Sequence, residues 1–365
     1  MRSPSERSPE AAPQKILVIQ TAFLGDVVLA TGVLESLHHA LPGARLDFLL
    51  RKGNEGLVQG HPFIGKLHVW DKKGGKWASL RRQIAALRRE RYDLVVNLQR
   101  FASSGLMTVF SGAKETRGFA KNPWSRFFTQ RFPHPISHKD DAQVWHETQR
   151  NHQLVRDLCG HVRRMPRLYP SDADYAAVKG YQERPYVCIA PASVWFTKQF
   201  PEEKWVSFLQ RIPARLQVWL LGSPADTALC ERIVAAAGRS GAGSLAGALS
   251  LLETAALMRD ARMNYVNDSA PLHIASAMEA PQRAIFCSTV PQFGFGPLNA
   301  QSAVIETNRR LACKPCGLHG KRQCPQGHFL CADSIRTEQL LEPLVGADSG
   351  QAPGAGRSIP RKGMG

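Results

Sequence analysis

A short, unbroken apolar run that gives way to a turn and then resumes at helical spacing occurs twice in this sequence, and few folds accommodate it. The first copy is KILVIQ (15–20), the turn TAFLGD, and VVLATGVLESLHHAL, which stops at Pro42-Gly43. The second is YVCIAPAS (186–193) followed by the helical pattern EKWVSFLQRI. Strands this apolar are buried on both faces, which implies parallel sheets covered by helices. After the first copy come ARLDFLLR as a strand, a helical segment around Asn54–Gln59, KLHVW (66–70), a basic amphipathic helix over 78–91 and the buried strand YDLVVNLQ (92–99). Residues 112–150 are basic and aromatic, and they read as loops with one helix from Asp141 to Cys159. After the second copy come LQVWLLGS, a helix over Asp226–Ala237, a helix over Leu251–Arg259, MNYVNDSA, PLHIASAM and RAIFCST (283–289). The expected fold is α/β, with two Rossmann-like domains facing a cleft at the carboxyl ends of their strands. The domains are expected over 15–178 and 179–345.

A chain of 365 residues exceeds one ordinary core, which agrees with two domains. Residues 1–14 and 346–365 are rich in Pro, Gly, Ser and Ala and read as disordered tails. No apolar core of a signal peptide precedes the first strand, and no run approaches 18 apolar residues, so the expected location is cytoplasmic. The formal charge of +17 favours polyanionic partners: nucleic acid, an anionic membrane or a phosphorylated substrate. No zinc-finger, helix-turn-helix or RNP pattern accompanies the basic runs, which disfavours nucleic acid.

Candidate chemistry sits in the turns after strands. Asp26, in the first turn, is either a helix cap or a general base facing the crevice. Thr197 and Lys198 lie between a strand and a helix, where a hydroxyl, a cation and helix N–H groups suit a diphosphate; an exposed loop lysine is the plain alternative. Asp268, Ser269 and Ala270 open a helix after an apolar strand, with His273 one turn in, and together they favour an anion site. Gly294-Phe295-Gly296-Pro297 is a loop able to approach a ligand closely, or simply a turn. Asp172-Ala173-Asp174 spells a metal-binding D-x-D but does not follow a strand, and it reads as a helix cap.

Cys159, Cys188, Cys230 and Cys287 are scattered and read as buried thiols. Cys313, Cys316, Cys324 and Cys331 cluster, with His319 and His328 between them. Their spacing leaves structural zinc, a reduced thiol cluster and oxidation-prone pairs all open.

ILVIQTAFLGDVVLAT, SVWFTKQFPEEKW, LLGSPAD, NDSAPLHIASAM and the CxPC…CPxGHFxC tail, in this order, resemble glycosyltransferase family 9, the ADP-heptose:lipopolysaccharide heptosyltransferases, and within it the heptosyltransferase II-like branch. The resemblance spans about residues 15–340. It implies a GT-B fold and an inverting, metal-independent transfer of heptose from ADP-L-glycero-D-manno-heptose to the inner core of lipopolysaccharide, with no cofactor needed for catalysis. It assigns Asp26 as the base and Thr197 and Lys198 to the leaving diphosphate. Asp268, Ser269 and His273 are assigned to the nucleotide sugar. Ala270 departs from the family's usual glycine, and Asp226 is the candidate for the ribose. The implied partners are the ADP-heptose donor, a lipid A-linked inner-core acceptor and, at the periphery, an anionic membrane surface. Competing readings are a transferase or epimerase of another nucleotide sugar, a nucleic-acid-binding protein and a non-catalytic family member.

Overall fold

The computed structural model describes residues 12–72, 75–138, 141 and 143–345, so the expected tails at 1–11 and 346–365 lie outside the described residues. Two six-stranded parallel sheets form the frame. The first has strands β1 (Lys15–Ile19), β2 (Arg45–Arg51), β3 (Ile64–Trp70), β4 (Leu94–Asn97), β5 (Glu115–Phe119) and β6 (Gln130–Phe132), in the order β3-β2-β1-β4-β5-β6. The second has β7 (Tyr186–Ala190), β8 (Gln217–Leu220), β9 (Ala242–Ser244), β10 (Met263–Asn267), β11 (Gln282–Ile285) and β12 (Ser302–Ile305), in the order β12-β11-β10-β7-β8-β9. Each sheet reverses its strand order once, between β1 and β4 and between β7 and β10, which opens a crevice at the carboxyl ends.

The helices are α1 (Leu24–Ala40), α2 (Lys76–Glu90), α3 (Ala102–Val109), α4 (Glu147–His152), α5 (Arg156–Cys159), α6 (Asp172–Val178), α7 (Glu202–Arg211), α8 (Thr227–Ala237), α9 (Leu251–Asp260), α10 (Ala270–Ala277), α11 (Leu330–Asp333) and α12 (Glu338–Val345). The period of two along each strand sorts its side chains between two cores. Ile16 and Val18 join a core that runs on through α1, α9 and α10 to Cys188 and Ala190 of β7, so the two halves are packed together. Leu17 and Ile19 point the other way, into a core with Leu80 and Leu87 of α2. Val187 and Ile189 likewise face away, towards Trp205 and Phe208 of α7.

Several expectations change. The segment 112–150 contains strands β5 and β6, which the sequence reading placed in loops. The helix expected from Asp141 begins only at Glu147 and breaks into three short pieces before Cys159. The helical segment near Asn54 is one 3-10 turn, Glu55–Leu57. Asp174 reaches back to the Ser171 N–H at 2.7 Å, so the D-x-D motif caps α6, as expected. Helix α6 packs against α9 of the second half. No helix among the described residues is long and apolar enough to cross a membrane.

Candidate active site

The start of α1 follows β1 at the first crevice. Its N-cap is Phe23, not Asp26. Asp26 sits in the first helical turn, where the backbone N–H groups of Phe23 and Asp26 favour its ionised form. Burial outweighs them and, with the negative charge of Glu147, holds the carboxyl up at about 7, while Arg100 acts in the opposite sense. Asp26 keeps some surface open to the cleft. The surrounding protein atoms nevertheless desolvate the carboxylate. A carboxyl titrating near neutrality is what a general base requires.

Across the cleft lies the start of α10. A Cβ placed on Gly25 would meet His273 Cδ2 at 2.7 Å and the Ala270 Cα at 3.7 Å, so α1 and α10 touch at a position where α1 has no side chain. His273 is buried, its Nδ1 has no partner, and burial pushes its pKa down to about 4 despite the nearby Asp268. It is therefore a neutral imidazole with Nδ1 unpaired, packed against Gly25.

Lys198 extends from the 3-10 turn Phe196–Lys198 after β7, and its Nζ lies 2.7 Å from Asp268 Oδ2. Thr289 donates to the same oxygen at 2.6 Å. The expected diphosphate residues thus come together at the β7/β10 reversal, with the helix α10 N-terminus beside them. Ser269 is the N-cap of α10, its hydroxyl weakly engaged with Asn267 O at 3.4 Å. Thr197 is placed differently: it is buried, and its Oγ1 accepts from Ser288 Oγ at 3.0 Å and from the Lys321 N–H at 2.8 Å. Its hydroxyl clasps the 313–331 loop to the site wall. Asp226 lies one strand further out, where Oδ2 accepts from the Ser223 N–H at 2.8 Å and the Ser223 hydroxyl at 2.6 Å.

The four clustered cysteines line one cavity with His328 and Thr197, and all are free thiols. Cys313 Sγ lies 3.9 Å from His328 Nε2, but among the described residues no group of three or more donors is placed to hold a metal ion, so the zinc alternative for Cys313, Cys316, Cys324 and Cys331 finds no support in this arrangement. Burial keeps the Cys331 thiol up at about 11, in its protonated form.

Two site residues escaped the sequence reading. Arg100 follows β4, the strand beside β1 at the reversal point, and that position was its signal. Glu147 opens α4 and is buried, with Arg150 Nε at 2.7 Å and His134 Nε2 at 3.3 Å. Burial opposes its ionisation, but these partners win and hold its carboxyl down at about 2. The same segment latches the second half: Arg150 Nη2 donates to Phe293 O at 2.8 Å, the Glu147 N–H to Gly294 O at 2.8 Å, and His146 Nε2 to Gly296 O at 3.0 Å. The Gly294–Pro297 loop therefore approaches the first half of the chain and fastens it. A Cβ on Gly294 would fall 2.4 Å from Arg150 Nη2, so only glycine fits there.

Two Rossmann-like halves joined over a cleft, with a near-neutral carboxyl on α1 where that helix meets the start of α10, define a glycosyltransferase of the GT-B type. The model of glycosyltransferase family 9 (heptosyltransferase) matches residues 80–327, and the chain belongs to that family. The lipopolysaccharide heptosyltransferase 1 of Pseudomonas aeruginosa is 26% identical over 83% of this chain and 86% of its own length. The structure of Escherichia coli ADP-heptose lipopolysaccharide heptosyltransferase II shares the fold with a TM-score of 0.73 at 21% identity, covering 90% of this chain and 97% of that one. A family 9 glycosyltransferase from Veillonella parvula does so with a TM-score of 0.75 at 19% identity, over 90% and 95% of the two chains.

Proposed function

We propose that this enzyme transfers heptose from ADP-L-glycero-D-manno-heptose to the inner core of lipopolysaccharide, with inversion at the anomeric carbon and without a metal ion. The observation that carries the reading is the Asp26 carboxyl, held near pH 7 at the start of α1, where the neighbouring Gly25 packs against His273 and Ala270 of α10. The first half, through residue 178, takes the acceptor, and the second half takes the nucleotide sugar.

Asp26 removes the proton from the acceptor hydroxyl as its oxygen bonds to the anomeric carbon. The bond from that carbon to the diphosphate oxygen breaks on the opposite face, and ADP leaves with the bonding electrons. Lys198 has three N–H donors and spends one on Asp268, so the others meet the departing diphosphate. The free N–H groups of α10 add positive potential at the same place. Fixed positive charge of this kind does the work a divalent cation does elsewhere. His273, neutral and with Nδ1 unpaired, offers a hydrogen bond to the sugar or phosphate. Thr197 positions Lys198 and the 313–331 loop, and Asp226 is the candidate for the ribose. The enzyme works at the cytoplasmic face of a membrane holding its lipid-linked acceptor.

The test measures ADP release from ADP-heptose with a heptose-deficient lipopolysaccharide acceptor, with and without a chelator, and assigns the new anomeric centre by NMR. Release that depends on acceptor, survives chelation and collapses in Asp26→Asn is the expected result. Release that persists in Asp26→Asn removes Asp26 as the base, and retention of configuration removes the single displacement.

A further inference from the structure

Aromatic side chains are exposed in one region of the first half that the proposed reaction does not use. Phe101 caps the start of α3 and Phe110 its end, and they are 63% and 46% exposed. Phe127, in the loop after β5, is 50% exposed. Trp124 joins Phe110 and Phe127, with ring centroids 6.5 Å from Phe110 and 5.8 Å from Phe127. Asn122 fixes the loop beneath, since its Nδ2 donates to Gln99 O at 3.0 Å and Phe101 O at 3.1 Å. The surface is therefore held on a rigid base, although solvation would favour burying its aromatic rings.

Its charge is one-sided. Between Leu94 and His138 the chain carries Arg100, Lys114, Arg117, Lys121, Arg126 and Arg131 against Glu115 alone. Arg117 already spends itself on Glu115 and Asp157, and Lys114 on Asp93 just outside that stretch. Lys121 and Arg126 are exposed, and the Arg126 guanidinium lies 4.7 Å from the centroid of the Phe127 ring. Exposed aromatics interleaved with cations match an anionic bilayer, where rings enter the headgroup boundary and cations meet lipid phosphates. The position also matters. Phe101 directly follows Arg100, whose charge reaches Asp26, so the aromatic surface borders the mouth of the cleft.

We infer that the α3 and 121–127 face docks this enzyme on an anionic lipid bilayer, with Phe101, Phe110, Trp124 and Phe127 at the headgroup boundary and Lys121 and Arg126 against lipid phosphates. The inference rests on the proposed transfer to a membrane-held acceptor, because docking here turns the cleft mouth towards lipid. It adds which surface makes the contact and what it recognises.

The test is cosedimentation of the full chain with vesicles of phosphatidylcholine containing phosphatidylglycerol, compared with vesicles of phosphatidylcholine alone. Binding is expected only to the anionic vesicles and should weaken as salt is raised. At about fivefold per cation, K121Q/R126Q loses about 25-fold in vesicle affinity. F101S/F127S loses about tenfold or more at any salt concentration. Both pairs change exposed side chains, so circular dichroism should match the wild type. ADP release should also match the wild type with a detergent-dispersed acceptor, and should fall only when the acceptor sits in vesicles. Equal binding to both vesicle types, or binding unchanged in both variants, overturns the inference. So does a wild-type dimer that F101S/F127S converts to monomer, because the face then belongs to a second copy of the chain. Vesicle binding is read without turnover, so failure of the docking face and failure of the transfer reaction are separately visible.

Discussion

Replacing Asp26 with asparagine should abolish transfer and at the same time stabilise the protein, by an amount that grows with pH. Burial holds the carboxyl up at about 7 in the folded chain, against an ordinary value of 3.8. Between those values the folded protein binds a proton that the unfolded chain has released, so stability falls as pH rises through the window. Below 3.8 both states are protonated and nothing is lost; above 7 the cost is complete. At 1.36 kcal/mol per unit, the cost is about 2 kcal/mol at pH 5 and about 4 kcal/mol at pH 8. Asparagine keeps the shape and one acceptor oxygen but carries no charge, so it removes the cost. Urea unfolding of wild type and Asp26→Asn between pH 5 and pH 8.5 should show a gain rising by about 2–3 kcal/mol across that range. In parallel, kcat/KM of the wild type should rise with pH to a plateau, with a midpoint near 7. A stabilisation that does not change with pH, or a loss of stability at pH 8, would refute the assignment of a raised pKa to Asp26, whatever happened to turnover.

Three further outcomes follow from the same geometry. Gly25→Ala pushes a methyl against His273 and should cost about 1–3 kcal/mol, seen as a Tm several degrees lower, while Gly25→Ala in a His273→Ala background should cost little. Lys198→Met should lower kcat/KM by about 10²–10³ and destabilise the fold by leaving Asp268 without its cation, and adding Asp268→Asn should restore the Tm but not the activity. Glu147→Gln removes a negative charge that raises Asp26, so the rising limb of the pH–rate profile should move to lower pH by about one unit or less.

What could be read from the sequence was whatever lies at the end of an apolar strand. Asp26, Lys198, Asp268 and His273 all follow such strands, and the fold brings all four to the crevice because parallel strands place every carboxyl end on one side. Strands β5 and β6 escaped because ETRGF and QRF carry charges and no apolar alternation. Their polar groups are satisfied instead by partners remote in sequence, such as Asp157 for Arg117. Glu147 was hidden for the same reason. A lone glutamate in a basic stretch reads as surface, and only the tertiary approach of His134 and Arg150 makes its buried charge tolerable. The cysteine spacing was equally silent on whether four sulfurs converge, because that depends on where α11 carries Cys331, and α11 packs into the second half's own core.

The alanine at position 270 departs from the family pattern, and the structure gives a physical account of why the chain accommodates it. A glycine can be demanded by a positive φ or by a close approach of backbone. Position 270 shows no positive φ: among the described residues, the only non-glycine positions with that conformation are Arg91, Glu279 and Phe329. The close approach between the helix starts exists, but its missing side chain is on the other partner. Gly25 leaves the gap into which His273 fits, and the Ala270 Cα stands 3.7 Å from where a Cβ on Gly25 would be. The contact that joins the proposed base to the proposed donor site therefore depends on glycine in α1. A methyl at the start of α10 leaves the backbone N–H groups there as free to meet an anion as glycine would.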